Sequence, residues 1–154
     1  MYRASKYGKK VKFKRSGLED LNYNQLIRKL DAEVGGYIKH KYEVSPGISQ
    51  CYTCKNYFPT NEIQAGHFIS RRYFATRFDL RNIRPQCPGC NKWRAGDPFK
   101  FRMYLVEEIG EDQVKDLESI AKMNGEKHLA REWLIEQIKL FREKNKELKN
   151  ESRG

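Results

Sequence analysis

The sequence predicts a small α+β protein: a cysteine-clamped hairpin with its helix, preceded by one helix and followed by several. Two Cys-x-x-Cys pairs frame residues 51–90, and apolar residues recur at helical spacing on both sides of them. A length of 154 residues suits one domain. We expect a basic flexible arm at 1–16 and a single domain at 17–148, with a cysteine-bound core at 48–97 and a helical part at 98–148. A frayed tail at 149–154 completes the chain.

Charge is the strongest compositional signal. Lys and Arg number 31 against 20 Asp and Glu, so the formal net charge is +11 and the pI is near 9.5. Such an excess attracts polyanions, which makes nucleic acid the expected partner, although a basic surface also aids solubility. The arm at 1–16 interleaves its cations with aromatic residues, so it either orders on DNA or acts as a solubilising tail.

Neither a membrane span nor an export signal is expected from this sequence. No run of about 18 apolar residues appears, and the N-terminus runs into Lys and Tyr residues where a leader would be apolar. We therefore expect a cytoplasmic protein with no membrane partner.

The four cysteines allow either two disulfides in a secreted protein or one metal site. A reducing compartment favours the metal. Four thiolates satisfy tetrahedral zinc and leave no vacancy for substrate, so the predicted zinc is structural. Its ligands are Cys51, Cys54, Cys87 and Cys90. The alternative is four unrelated buried cysteines. It would require the two Cys-x-x-Cys spacings and the turn residues Pro88 and Gly89 to occur together by chance.

Local signals place the elements around this core. A capping box at Ser16 to Glu19 predicts the start of the first helix, Gly35-Gly36 predicts a weak point or a break in this region, and residues 45–47 predict a turn. Residues 56–61 are predicted as loop, 64–70 as a strand, and 79–84 as a second strand or extended turn. A helix is expected from about Asn91.

Three helices are predicted after the core. Asp97-Pro98 starts the first as N-cap and first-turn residue, Gly110 ends it, and the others span 112–123 and 126–148. In the last helix an apolar stripe predicts core packing, a dimer seam or a partner face: Leu134, Ile138 and Phe141.

His67 and Asn91 are the residues that suggest chemistry. Phosphodiester hydrolysis needs a proton acceptor, which histidine provides near neutral pH, and a divalent metal near the phosphate. Asn91 follows the zinc ligand Cys90 directly and offers an amide oxygen. Alone, His67 would more often be structural and Asn91 a helix cap.

The pattern His67…Asn82…Asn91, framed by the cysteine pairs, resembles the HNH (His-Me finger, ββα-metal) endonucleases. Residues 65–72 (AGHFISRR), 76–79 (TRFD) and 82–91 (NIRPQCPGCN) resemble the NinG (Rap) recombination proteins of lambdoid phages more closely. The resemblance covers roughly residues 20–148 and is loosest at both ends. A more distant similarity is to phage endonuclease VII, which also has Asn directly after its last zinc cysteine.

The resemblance implies a phage-encoded, structure-selective DNA endonuclease that cuts branched recombination intermediates such as Holliday junctions, D-loops or flaps. His67 would be the general base. Asn82 would hold the loop and the His67 backbone by hydrogen bonds. Asn91 would bind a catalytic Mg²⁺ or Mn²⁺. A homodimer would suit the cutting of paired strands.

Gly66 departs from the HNH pattern, because many members carry an Asp metal ligand just before the catalytic histidine. Mg²⁺ ordinarily requires at least one carboxylate. Asp79 is the predicted substitute and Glu62 a weaker one; otherwise the site binds metal weakly without DNA. Asp79 also has the alternative of capping a turn or pairing with Arg77 or Arg81.

Cations beside the predicted site are expected to contact phosphates: Arg71, Arg72, Arg77, Arg81, Arg84, Lys92 and Arg94. Tyr73, Phe74 and Trp93 either stack on unpaired bases or fill the small core under the two Cys-x-x-Cys turns, and for Trp93 the sequence favours the core.

Two other functions remain open from the sequence. A non-catalytic zinc module that binds nucleic acid agrees with the charge and with Gly66. An adaptor would instead use the C-terminal helices to recruit a phage or host recombination partner. Replacing His67 distinguishes the binding module from an enzyme. A binding module would tolerate the replacement, whereas an enzyme would lose turnover.

Overall fold

The computed structural model describes residues 17–125 and 127–151, so the predicted arm at 1–16 and residues 152–154 lie outside the described residues. The described helices are α1 Tyr23–Lys41, α2 Phe74–Arg77, α3 Pro98–Ile109, α4 Glu111–Asn124 and α5 Arg131–Glu151. The strands are β1 Glu43–Ser45, β2 Ile48–Gln50, β3 Tyr57–Pro59, β4 Gln64–His67 and β5 Ile83–Gln86. Helices combined with two small antiparallel sheets confirm the α+β class.

Helix α1 starts at Asn22, and the prediction of a start after Ser16 was wrong. The Asn22 side chain accepts the backbone amide of Gln25 at 2.9 Å, and the Gln25 side chain accepts the amide of Asn22 at 2.8 Å. This is a capping box with the same spacing as the one predicted upstream. Residues 18–20 form a separate 3-10 turn instead.

The glycine pair in α1 does not interrupt the helix, contrary to the prediction. A Cβ on Gly35 would lie 3.7 Å from Cβ of Ala65, and one on Gly36 would lie 3.7 Å from the amide of Asn145. The pair therefore lies where α1 approaches β4 on one side and α5 on the other. Close packing offsets the lower helix propensity of glycine.

Helix α1 packs along α5 and forms the largest core of the described residues. The predicted stripe of α5 is part of it, since Leu134 and Ile138 are completely buried and Phe141 is 4% exposed. The core interpretation of that stripe is confirmed. From α1 the same core receives Leu26, Ile27, Leu30, Val34 and Ile38.

A three-stranded antiparallel sheet, in the order β1-β2-β3, precedes the hairpin. The turn at 45–47 is confirmed as the link from β1 to β2, with Gly47 at φ +76°. The prediction of loop at 56–61 was wrong, because β3 pairs with β2 through residues 57–59. Strands of three residues are too short for an alternating pattern to reveal them.

The hairpin of β4 and β5 carries the predicted site. It is antiparallel, with Gly66 opposite Arg84 and His67 opposite Ile83. Strand β4 ends at His67, three residues earlier than predicted, and a 3-10 turn at Leu80–Asn82 leads into β5. A π-helical segment, Gly89–Trp93, begins after two intervening residues and gives the order strand, strand, helix.

The C-terminal helices differ from prediction at their ends. Helix α3 begins at Pro98 as expected, but Asp97 has φ 48° and its side chain makes no capping hydrogen bond. Helix α5 begins at Arg131, five residues after the predicted start, and continues to Glu151. Helix α4 packs against α3 around a second core of Phe101, Leu105, Val114 and Leu117.

Arg84 joins the hairpin to α3. Its side chain is 3% exposed and donates to both carboxylate oxygens of Glu108, at 2.9 and 3.0 Å. Further donations go to the carbonyls of Leu80 and Ile83. Burial raises the pKa of Glu108, but hydrogen bonds from Arg84 and Tyr52 outweigh burial and hold that pKa below its usual value.

We expect Arg84→Met to destabilise the zinc-loaded protein by about 3 kcal/mol, because it removes the ion-pair partner of Glu108 and the donor to the carbonyls of Leu80 and Ile83. Urea unfolding measures this change. Arg94→Met, at an exposed position, is the matched control and should leave the unfolding free energy almost unchanged. Equal stabilities of the two variants would contradict a structural role for Arg84.

Candidate functional site

The four cysteines lie together, as predicted. Their sulfur atoms are within 4.8 Å of one another, and Sγ of Cys54 is 3.9 Å from Sγ of Cys87. Zn–S bonds of about 2.3 Å in a tetrahedron would place sulfur atoms roughly 3.8 Å apart. The donor set and its spacing fit zinc. The cluster joins the segment after β2 to the segment after β5.

Backbone amides already point at these sulfur atoms. The amide of Cys87 donates to Sγ of Cys51 at 3.3 Å, and the amide of Cys90 donates to Sγ of Cys87 at 3.4 Å. Burial raises the pKa of the Cys51 thiol, but nearby backbone amides outweigh burial and bring the pKa down to about 6. The thiolate form that zinc requires is therefore favoured at Cys51, whereas burial raises the pKa of the Cys54 and Cys87 thiols.

His67 is fixed at the end of β4 by one ring nitrogen. Its Nε2 lies 2.9 Å from the carbonyl oxygen of Arg77. A carbonyl only accepts, so Nε2 carries the proton and Nδ1 is the nitrogen left to accept one. Burial, and secondarily the charges of Arg71 and Arg77, lower the pKa of His67 from 6.5 to about 4. The imidazole is therefore neutral at physiological pH.

Asn82 fastens the loop that follows His67. It is completely buried, and its Oδ1 accepts the amide of Ile69 at 2.7 Å while Nδ2 donates to the carbonyls of Ile69 and Thr76. Its own carbonyl accepts the amide of Phe68 at 3.0 Å. The expected loop-holding geometry is present, but the side-chain bonds reach Ile69 and Thr76, not the backbone of His67.

His67 and Asn91 line one cleft of about 840 Å³. Asn91 lies in the π-helical segment, and its Nδ2 donates to Oε1 of Gln64 at 2.8 Å. That bond leaves Oδ1 as the acceptor end of the Asn91 amide. The cleft therefore brings together the two residues to which the sequence assigned proton transfer and metal binding.

Cations dominate the charged lining of this cleft. Lys39, Arg71 and Lys92 line it, against Asp31 as the acidic residue among its described lining. Both carboxylate oxygens of Asp31 accept hydrogen bonds from the Arg77 guanidinium, at 2.6 and 3.0 Å, so the charge of Asp31 is neutralised. The lining suits a phosphate backbone.

Asp79 is not brought together with His67 and Asn91. Among the described residues that line the cleft it is absent, and its carboxylate caps the 3-10 turn and pairs with Arg81 at 2.7 Å. Asp79 therefore has the alternative role predicted from the sequence: it caps a turn and pairs with Arg81. Glu62 is likewise absent from that lining.

The seven arginines and lysines predicted to hold DNA divide into two groups. Arg77, Arg81 and Arg84 are committed to carboxylates within the fold. These three brace the loop around the hairpin, which corrects the expectation that they face phosphates. The other four lie on the exposed surface: Arg71, Arg72, Lys92 and Arg94.

Trp93 does not fill the core, contrary to prediction. It ends the π-helical segment that carries Asn91 and is 86% exposed. Phe99, just beyond it in the chain, is 81% exposed. Phe and Trp side chains are highly buried on average, so both rings depart from the usual pattern.

Gly66 has a steric reason to lack a side chain. A Cβ at this position would lie 2.0 Å from Oε1 of Gln86 and 2.7 Å from its Cδ. Gln86 cannot move aside cheaply, because its Nε2 donates to Thr53 and to the carbonyl of Gly96. The fold therefore excludes the carboxylate that the HNH pattern has there.

Sequence reasoning missed two contributors to this site. The carbonyl of Arg77 orients His67, and a backbone atom leaves no signal in residue identity. Asp31 reaches the cleft from the middle of α1, 36 residues before His67, and only the packing of α1 against β4 shows it.

We expect the imidazole of His67 to titrate near pH 4 in the free protein, which NMR of its ring carbons measures. Because the unfolded pKa is higher, this residue lowers stability as pH falls from 6.5 toward 4 and has no such effect above 6.5. Bound DNA should raise the pKa, since phosphates favour the charged ring. A midpoint near 6.5 without DNA would contradict the burial argument.

Within residues 17–125 and 127–151, no helix combines the length and the apolar character that crossing a bilayer requires.

The chain is similar to curated phage proteins that all bear the name Protein ninG. Protein ninG of Escherichia phage lambda is 29% identical over 146 residues, which cover 92% of this chain and 65% of that protein. The Escherichia phage 933W protein is 28% identical over 146 residues (92% and 66%), and that of Salmonella phage P22 is 28% identical over 134 residues (86% and 59%). The chain thus spans less than two thirds of the length of these curated relatives. No solved structure gives a significant match.

A family model described as Bacteriophage Lambda NinG protein matches residues 3–151. That match covers nearly the whole chain, and the chain therefore belongs to the phage NinG family.

Proposed function

We propose that this protein is a metal-dependent DNA endonuclease of the HNH type, acting on branched intermediates of phage recombination. One observation carries the proposal: the carbonyl of Arg77 fixes the neutral ring of His67 in a cationic cleft that Asn91 also lines. The hairpin followed by a short helix agrees with the strand-strand-helix order of that nuclease class.

The residues have the following roles in this proposal. His67 accepts a proton from water at Nδ1, while its Nε2 donates to the Arg77 carbonyl and stabilises the imidazolium that forms. Asn82 keeps the loop of Arg77 in place through Ile69 and Thr76. Arg77 is itself oriented by Asp31 of α1. Proton acceptor, loop and helix thus form one connected unit.

The site has oxygen donors for a divalent cation, but their chemistry is unusual. Asn91 presents Oδ1, and Gln64 presents the oxygen that Asn91 now contacts. Both are neutral amides, so they offer oxygen ligands to Mg²⁺ or Mn²⁺ but not the usual carboxylate. A bound divalent ion would polarise the phosphate and stabilise the leaving oxygen. Zinc, by contrast, would be held by the cysteine cluster alone.

Trp93 supports a preference for branched over linear DNA. Its indole stands in solvent two residues after Asn91, between the cations Lys92 and Arg94. Unpaired bases at a junction or flap have exposed faces that stack on such a ring, worth about 1–3 kcal/mol per base. Continuous duplex offers no such face along its length.

A non-catalytic DNA-binding module is the second candidate. The observation in its favour is that the cleft holds no carboxylate free of an arginine among its described lining residues. The positive charge and the exposed aromatic side chains would serve a binding module as well as they would serve an endonuclease. A DNA cleavage assay therefore decides between the two candidates.

We expect His67→Ala to lower the cleavage rate of branched DNA by roughly 10²–10⁴-fold while DNA affinity changes little, because the proton acceptor is lost and the cations remain. Labelled four-way junctions, flaps, D-loops and linear duplex would be incubated with zinc-loaded protein and Mg²⁺, Mn²⁺ or EDTA. Binding would be measured on the same substrates by fluorescence anisotropy.

His40→Ala is the matched control, since His40 is exposed at the end of α1 and outside the cleft lining. It should cleave like the unaltered protein. If metal-loaded protein binds branched DNA and cuts none of it, the endonuclease proposal fails and the binding module replaces it.

We expect Trp93→Ala to weaken binding of branched DNA by about 5–150-fold, with a smaller effect on linear duplex, because one stacking surface is removed. The matched control is Tyr57→Ala, which removes a 64% exposed aromatic from β3. Equal losses for both substrates would show that Trp93 adds affinity without selecting structure.

A further inference from the structure

Gln86 has an unused oxygen in the interior of the site. The residue is completely buried in β5, and its Nε2 is satisfied by Oγ1 of Thr53 at 3.1 Å and the carbonyl of Gly96 at 2.8 Å. Its Oε1 is the one buried side-chain nitrogen or oxygen without a hydrogen-bond partner within residues 17–125 and 127–151. An unpaired buried acceptor is costly, so such an atom calls for a donor or a cation.

The position of Oε1 matches that of the excluded side chain. It lies 2.0 Å from where a Cβ of residue 66 would be. Position 66 corresponds to the position at which many HNH proteins carry a carboxylate ligand. Gln86 therefore brings an oxygen from the neighbouring strand into the space that residue 66 vacates.

Oε1 lies behind the wall of the cleft: Gln86 is not among the described lining residues, but its neighbours Gln64 and Gly96 are. Gln86 is directly opposite Gln64, whose Oε1 accepts from Asn91. A Cβ on Gly96, a residue of the cleft wall, would lie 3.9 Å from Oε1 of Gln86 and 3.8 Å from the carbonyl of His67. Two glycines thus border this oxygen, and the hairpin face that carries it also carries the contact to Asn91.

We propose that Oε1 of Gln86 is an oxygen ligand for the divalent cation, replacing the carboxylate that Gly66 cannot carry. The inference rests on the proposed function and names a residue that the HNH pattern does not assign. It gives the cation site neutral amide donors from Gln86 and Asn91. It also explains Gly66 as the partner of Gln86, since any larger residue would displace Oε1.

Because the proposed ligands are neutral, the affinity for a divalent cation should depend on the charge of residue 86. Ligand charge sets the affinity of oxygen sites for divalent ions. Gln86→Glu returns a carboxylate to the place of the missing one, so it should bind Mn²⁺ roughly tenfold or more tightly than the unaltered chain. Gln86→Met removes the oxygen at similar length and should bind roughly tenfold more weakly.

Mn²⁺ binding to the zinc-loaded full chain, without DNA, would be measured from the EPR signal of free Mn²⁺. Gln50→Glu is the matched control, because Gln50 lies on β2 and its Nε2 bonds the Lys55 carbonyl away from the cleft. Zinc content and urea unfolding report whether each variant is intact. Equal effects of the two Glu variants, or no Mn²⁺ binding by either the unaltered chain or Gln86→Glu, would overturn the proposal.

A measurement on the unaltered chain covers the case in which Gln86 variants fail to fold. In a Mg²⁺ titration followed by NMR, the side-chain amide signals of Gln86 and Asn91 should shift with one common midpoint. A shift of Asn91 without one of Gln86 would overturn the inference.

The two proposals fail differently. If cleavage needs metal and Asn91→Ala weakens Mn²⁺ binding while Gln86→Met does not, the Gln86 ligand is wrong and the nuclease stands. If metal-loaded protein cuts no branched DNA while Mn²⁺ responds to Gln86→Glu as expected, the nuclease is wrong and the cation site stands.

Discussion

The convergence of four cysteine sulfur atoms is the constraint on which the rest of the site depends. Their approach to within 4.8 Å holds the chain before β3 against the chain after β5, and the hairpin lies between these ends. Cys90 directly precedes Asn91, so the same cluster fixes where the π-helical segment starts beside β4. A three-stranded sheet of three-residue strands could not do this alone, because so short a sheet buries little apolar surface. Zinc at the cluster would add coordination energy to folding.

Three arginines also hold the site together, through ion pairs with carboxylates of the surrounding segments. Arg77 joins Asp31 of α1, Arg81 joins Asp79 and α4 through Asp116, and Arg84 joins Glu108 of α3. Each links the hairpin region to a different helix. A count of 31 Lys and Arg residues therefore overstates the number of cations available to DNA, since several are paired with carboxylates inside the fold. What remains at the cleft is Lys39, Arg71 and Lys92.

Much of this arrangement followed from the sequence, for identifiable reasons. Cysteine spacing, helix periodicity and the His67…Asn82…Asn91 pattern are local signals, and each corresponds to a feature of the described fold. The failures share a cause: whether Arg84 meets a phosphate or Glu108, and whether Trp93 is buried, depends on contacts between distant segments. Asp79 was assigned by its proximity in sequence to Asn82, whereas spatial proximity placed Asp31 in the cleft. Residue type does not encode those partners.

Under the proposed function, the lack of an unpaired carboxylate among the described lining residues of the cleft couples the binding of the cation to the binding of DNA. His67 is uncharged, the amides of Asn91 and Gln86 are uncharged, and the acidic residue of the cleft is paired with Arg77. A divalent cation there meets little negative charge until a phosphate arrives, and the phosphate in turn meets stronger positive charge once the cation is present. Binding of either must then strengthen binding of the other by the same factor, as linkage requires. A cleft built this way holds its cation weakly when empty of DNA and strongly when DNA is in place, so the competence to cut is assembled only on the substrate.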